Sequence, residues 1–147
     1  MLDLRNFNEN DIDILKKYRY PNEEVESILR KIELWNCKDS DGKYYEMFAI
    51  VDDTKIVGMV SLYQHTNSII SCGPEVFEEY QKHGYGSQAV CKALDIAKSM
   101  GYKIAVAQIR IDNLASIRLH EKLGFEMDHE YVNKRGNEVY FYIKSIE

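Results

Sequence analysis

The run Gln81-Lys82-His83-Gly84-Tyr85-Gly86-Ser87-Gln88-Ala89 lies between a β-rich segment and an amphipathic one. Val90, Ala93, Leu94 and Ala97 follow at offsets 0, 3, 4 and 7, so residues 85–100 read as a helix that Gly101 stops. Glycines at 84 and 86 therefore open a helix directly after a strand. Several backbone N–H groups can converge there at the positive end of the helix dipole, Lys82 adds a cation, and the missing side chains let an anion approach closely. This is the chemistry of a phosphate seat. The same letters satisfy the GxGxxG/A pattern of dinucleotide-binding turns. Position weighs against that rival. The loop lies in the second half of the chain after an apparent antiparallel meander, and Asp112 is too late to be the acidic residue expected roughly 20 positions on.

Working outward, Leu2-Asp3-Leu4-Arg5-Asn6-Phe7 alternates as a strand does, and Asn8 or Asn10 can cap a helix through Ile12, Leu15 and Tyr18 that Pro21 ends. From Asn22 a second helix begins. Its stripe is Val25, Ile28, Leu29, Ile32 and Trp35, with Glu23 and Glu24 expected in its first turn, where they suit the dipole. After a loop at 39–42, the runs 45–51 and 55–64 form a hairpin turning at Asp52-Asp53. The run 68–72 then passes through Gly73-Pro74-Glu75 to Val76-Phe77, where a bend or bulge should leave backbone groups free. Downstream come a buried strand at 104–109, a short helix capped by Asn113 and ended by Gly124, and two strands, 125–133 and 138–146, joined by a turn at 134–137.

Asn113, Ser116 and His120 fall at offsets 0, 3 and 7, along one face of that short helix. Leu119 and Leu123 on the adjoining face can bury it, turning the polar stripe toward a groove; a solvated helix face is the plainer alternative. Taken with the loop, this segment resembles the GNAT superfamily of acyl-CoA-dependent N-acetyltransferases. That family's pyrophosphate loop, Gln/Arg-x-x-Gly-x-Gly/Ala, is matched by Gln81, Gly84 and Gly86. Its helix Asn-x-x-(Ala/Ser)-x-x-x-(Tyr/His)-x-x-x-Gly-Phe is matched by Asn113, Ser116, His120, Gly124 and Phe125, at the expected distance downstream.

The resemblance implies an α+β, three-layer fold with a mixed, mostly antiparallel, twisted sheet of about seven strands flanked by about four helices. Length implies one domain, 1–147. Within it the resemblance puts acceptor-side elements at 1–66, a CoA-binding core at 67–125 and a closing hairpin at 126–147. It further implies acetyl-CoA as co-substrate. The strand near Val76 would pair with the pantetheine amides, and backbone N–H groups from His83 through Gly84, Tyr85 and Gly86 to Ser87 would hold the pyrophosphate. Gln81 and Lys82 belong to the same loop, and Asn113 and Ser116 would contact the pantetheine arm. Many members carry a Tyr where this chain has His120, taken as the acid that protonates the departing thiolate. His is found there in members resembling phosphinothricin acetyltransferases, so His120 either donates that proton or orients the sulfur.

Transfer to an amine also needs a base. Glu75, one residue before Val76, is the expected one, acting directly or through water, with Glu46 and His65 as alternatives; all three are also ordinary surface or hairpin residues. Tyr44, Tyr45, Tyr63, Tyr140 and Tyr142 either line an acceptor cleft or pair across strands. The net charge of −5 argues against nucleic acid as a partner. Residues 1–60 carry 13 acids against 9 bases, which hints at a cationic amine as acceptor, and a small-molecule amine is expected ahead of a protein N-terminus. Three unpatterned cysteines and the lack of a leader or a long apolar stretch suggest a cytoplasmic protein away from membranes. The four histidines lack ligand spacing, so no metal is expected. Homodimers are common among relatives of this kind. The alternative function is a catalytically silent acyl-CoA-binding module that senses or regulates.

Overall fold

The computed structural model describes all residues, 1–147. In chain order the elements are β1 (Leu2–Asn6), α1 (Ile12–Tyr18), α2 (Val25–Cys37), β2 (Asp39–Ser40), β3 (Lys43–Asp52), β4 (Lys55–Gln64), β5 (Ile69–Val76), α3 (Tyr85–Ser99), β6 (Ile104–Arg110), α4 (Leu114–Lys122), β7 (Glu126–Val132) and β8 (Glu138–Ser145). The sheet runs β1-β3-β4-β5-β6-β8-β7, with β2 paired to β3 beside it. Every pairing is antiparallel except β5 with β6.

Local chemistry explains where the helices start. Asn8 and Asp11 form a capping box ahead of α1, and Arg5 grips the buried Asp11 carboxylate at 2.8 and 2.9 Å. Burial pushes that carboxyl up, but the bonds from Arg5 and from the Asn8 N–H outweigh it and hold it below its ordinary range. Glu24 is the N-cap of α2, so Glu23 lies just outside the helix, where it accepts a bond from Ser27 and pairs with Lys31. Asp39 and Ser40, expected in a loop, form a two-residue strand instead. Asp41 and Gly42 both have positive φ, 55° and 83°, and close a tight hairpin onto Lys43 and Tyr44.

Two cores sandwich the sheet. Phe7, Leu15, Ile28 and Ile32 bury Ala49, Ile56, Met59 and Phe77 under α1 and α2. The larger core lies under α3, whose Ala89, Val90, Ala93 and Ala97 are small enough to let the helix down onto Val60, Leu62 and Ile70. Each buried Val, Leu or Ile contributes about 1.5–3 kcal/mol relative to exposure, so these two clusters set the layer order.

The expected bend at Gly73-Pro74 does not occur. β5 keeps unbroken register with β4 from Gly58↔Val76 to Gln64↔Ile70. Phe77 N–H bonds the Val57 carbonyl at 2.9 Å, and by the alternation of an antiparallel ladder the backbone groups of Cys72, Pro74 and Val76 point away from β4. Pro74 is tolerated inside the strand because its missing N–H would face that open side. The irregularity lies on β5's other edge: pairing with β6 covers only 69–71 against 104–106, after which the strands part.

Candidate functional site

The fork between β5 and β6 holds a cavity of about 610 Å³ that passes through the sheet. Ser61, Ser71 and Gly73 wall it from one face, Cys72, Pro74 and Ala107 from the other, with Ser116 and His120 of α4 completing the wall. A second cavity, of about 400 Å³, shares Pro74 and Ser116 with the first and runs past Val76 and Asn113 to Gln81, Lys82, Gly84, Tyr85, Gly86 and Ser87. Together they form one groove, from the start of α3 along the open edge of β5 to the fork.

At the loop end, Gly84 is the N-cap of α3 at φ 79°, with no side chain capping the helix. The first helical bond runs from Gln88 N–H to the Gly84 carbonyl, which leaves the N–H groups of Tyr85, Gly86 and Ser87 without intrahelical acceptors. A 15-residue helix dipole and Lys82, itself at φ 66°, add positive potential there. The loop is braced on both sides. Gln81 donates through Nε2 to the Val76 carbonyl at 3.1 Å, and Tyr85 OH donates to Asp52 Oδ2 at 2.6 Å. That bond from Tyr85 holds the Asp52 carboxyl below its ordinary range and the Tyr85 phenol above its own. Tyr85 thus offers the groove its backbone, while its side chain anchors the loop to the β3–β4 turn. His83 is exposed. Gly86 serves a different need from Gly84: a Cβ there would meet Leu119 Cδ1 at 2.8 Å, so its absence lets α3 and α4 pack closely.

On α4, Asn113 Oδ1 accepts the Ser116 N–H at 3.2 Å. His120, expected to face a groove, lines the fork cavity but is only 2% exposed and meets Phe125 edge-on at 5.0 Å between ring centres. Its Nδ1 lies 2.8 Å from the Ser116 carbonyl, which only accepts, so Nδ1 carries hydrogen. Nε2 is buried and has no hydrogen-bond partner. Burial pushes the imidazole below its ordinary value against the opposing pull of that carbonyl, keeping the ring neutral with its lone pair on Nε2. Cys72, on the same cavity wall, has its thiol pushed up to about 12 by burial and is no nucleophile near neutral pH.

The expected bases separate. Glu75 is about half exposed, lies outside both cavities and pairs with Arg19 at 3.0 Å. Glu46, 8% exposed, accepts from Tyr44 OH at 2.5 Å and Asn6 Nδ2 at 2.8 Å and faces Lys38 at 3.4 Å, as one corner of a structural cluster. His65 does line the fork cavity; it is exposed to solvent, and partial desolvation, with Lys43 nearby, lowers its pKa. Of the tyrosines, Tyr45 and Tyr63 pack together next to His65, whereas Tyr44 stacks on Tyr102, and Tyr140 and Tyr142 lie against the α3 core. Gly58 was not singled out from sequence, yet a Cβ there would lie 2.3 Å from the Glu75 carbonyl oxygen. Its only sequence signal is a glycine inside a strand pattern, the mark of a close backbone approach.

Comparison with known proteins agrees with this geometry. The acetyltransferase (GNAT) domain model matches residues 2–126. No curated protein matches the sequence significantly. Among solved structures, Mycobacterium smegmatis RimJ in complex with CoA-disulfide superposes with a TM-score of 0.86 at 15% identity, covering 98% of this chain and 81% of that one. A Salmonella typhimurium acetyl transferase that modifies the N-terminal serine of ribosomal protein L7/L12 gives 0.84 at 19% identity, with 99% and 95% coverage. Vibrio cholerae spermidine N-acetyltransferase in complex with CoA and spermine gives 0.76 at 19%, with 98% and 95% coverage. At these identities the likeness speaks for the fold. The seven-strand mixed sheet with four helices expected from the sequence is the one observed, with the short β2 added.

Proposed function

The chain belongs to the GNAT acetyltransferase family, and we propose that it moves an acetyl group from acetyl-CoA to the amino group of a small molecule. The observation that carries this reading is the continuous groove from the anion-receptive start of α3 to the fork beside His120.

The fit is chemical. Three unpaired N–H groups and Lys82 suit a pyrophosphate, and the open-edge N–H groups of Cys72 and Val76 suit the amides of a pantetheine arm. Asn113 keeps its Nδ2 free for that arm, since only Oδ1 is used in capping. When bound, acetyl-CoA supplies an acyl carbon activated by its sulfur leaving group. The fork orients the incoming amine against it. As the N–C bond forms and the C–S bond breaks, His120 Nε2 takes the proton shed by nitrogen and hands it to sulfur, so the imidazole ends as it began. A neutral ring suits this relay better than an imidazolium acid, which burial disfavours. Glu75, paired with Arg19 at the rim, receives no step.

In this reading residues 1–66 and 126–147 frame the acceptor and 67–125 hold the co-substrate. The test is calorimetric titration with CoA, followed by thiol release from acetyl-CoA across a panel of amines. CoA binding with no acceptor acetylated would favour the silent module; a melting temperature raised by NADH and not by CoA would overturn the groove assignment.

A further inference from the structure

No residue of β6, β7 or β8 joins the core beneath α1 and α2, so those helices leave that half of the sheet uncovered on the same face, although Val106 and Val139 are themselves buried. Val106, Gln108 and Arg110 of β6 form a row there, directly opposite Ile143, Phe141 and Val139 of β8. The fork cavity extends along this row as far as Gln108, and no Asp, Glu, Lys or Arg lines it. Beyond Gln108, and sharing it, lies a depression of about 650 Å³ walled by Arg110, Lys134 and Arg135, again with no carboxylate. Two residues along an extended strand put Arg110 roughly 7 Å past Gln108.

Of the three cations only Arg110 has an acidic partner, Asp112 at 3.3 Å, and both side chains are more than half exposed, where such a pair is weak. Lys134 and Arg135 form no ion pair. The turn that carries them is held in shape, because Asn133 Oδ1 accepts the N–H groups of both Arg135 and Asn137 at 3.0 Å. Three cations and no acid line this concave surface, which favours an anion there.

We propose that the acceptor amine carries an anionic group, a carboxylate or phosphate, which this basic depression holds while the amino group lies in the uncharged fork. The inference rests on the fork being the site of acyl transfer. It departs from the cationic acceptor suggested by charge balance. None of the 13 acids in residues 1–60 lines either cavity, so that surplus does not reach the acceptor.

Matched amines test it: glycine against glycinamide, phosphoethanolamine against ethanolamine, and putrescine as the cationic arm. Each is titrated calorimetrically into the CoA-loaded protein and assayed for thiol release, with wild type and with the Lys134→Glu/Arg135→Glu double variant. The expected result is a preference of about tenfold or more for the anionic member of at least one pair, lost in the double variant while CoA affinity and the neutral members are unaffected. Which pair shows it separates carboxylate from phosphate. Equal, reversed or undetectable preference, or a preference that survives the double variant, overturns the proposal. Binding is measured without turnover, so a retained preference with no transfer counts against acyl transfer and leaves the basic depression standing.

Discussion

Replacing His120 by Phe is expected to make the protein more stable and a worse catalyst at once. Nε2 is buried with no partner, and a buried polar nitrogen left unsatisfied costs about 1–3 kcal/mol. Phe removes that cost and keeps the edge-on contact with Phe125, and the adjoining cavity has room for the added carbons. Against this, the bond from Nδ1 to the Ser116 carbonyl is lost, worth about 0.5–1.5 kcal/mol. The balance is a gain of about 1 kcal/mol, or roughly 2–4 °C in melting temperature for a chain of this size. Turnover should fall on the order of 10²-fold with CoA affinity unchanged, the ordinary loss when a proton-transfer group is deleted. pH adds an independent check. Above the ordinary histidine value of 6.5 the ring is neutral folded or unfolded and contributes no slope. As pH falls below it, the unfolded chain takes up a proton that folded His120 refuses, so stability declines until the folded value is passed. The variant should show a shallower decline, with a small residual slope from the partly desolvated His65 beside Lys43. The assays are scanning calorimetry across pH, CoA titration and thiol release. A melting temperature lowered by several degrees with unchanged turnover would make His120 a structural residue and refute this reasoning.

Other substitutions test the remaining parts. Gly58→Ala puts a Cβ 2.3 Å from the Glu75 carbonyl oxygen and 2.9 Å from Val76 Cα. Backbone must therefore move, at about 1–3 kcal/mol or more, and weakened CoA binding should accompany the loss because the open edge of β5 shifts with it; wild-type melting would contradict this. Gly84→Ala forces a side chain into the left-handed region at about 1–2 kcal/mol, and calorimetry should find CoA bound about tenfold more weakly. Gly86→Ala meets only the flexible tip of Leu119, so its affinity loss should be the smaller of the two, and the reverse order would contradict this ranking. Glu75→Gln should leave kcat within about threefold, as expected of an exposed ion pair at the rim; a larger loss at unchanged KM would reinstate Glu75 as the base.

The parts of the fold that were legible in the sequence are those written in local chemistry. The stripe of α3, the glycine at its start and the Asn113 cap are short-range signals, and α3 and α4 lie within a residue or two of where periodicity puts them. The β2–β3 hairpin was missed because its strand is two residues long and too short to alternate, although Asp41-Gly42 is a strong turn signal. At Gly73-Pro74 the composition correctly marks free backbone groups but attributes them to a bulge. The cause is the parting of β5 from β6, a long-range event with no local signature. The proton chemistry was the least legible part. Whether a carboxylate is free or engaged depends on partners far away in the chain, Arg19 for Glu75 and Asn6 for Glu46, and spacing cannot show them. His120 was found by its place in a motif, while its burial and its orphaned nitrogen emerge only from packing against Phe125.

The central claim is that the groove joins an acyl-CoA seat to an amine seat at the fork. It is tested most directly by incubating the protein with acetyl-CoA labelled in its acetyl group and a mixture of the matched amines, then following free thiol and the acceptor's mass together. Thiol should appear in step with labelled amide on a single amino group, and both should drop together in His120→Phe while CoA remains bound. Thiol release with no labelled amide, or bound CoA with no thiol release on any amine, would contradict it.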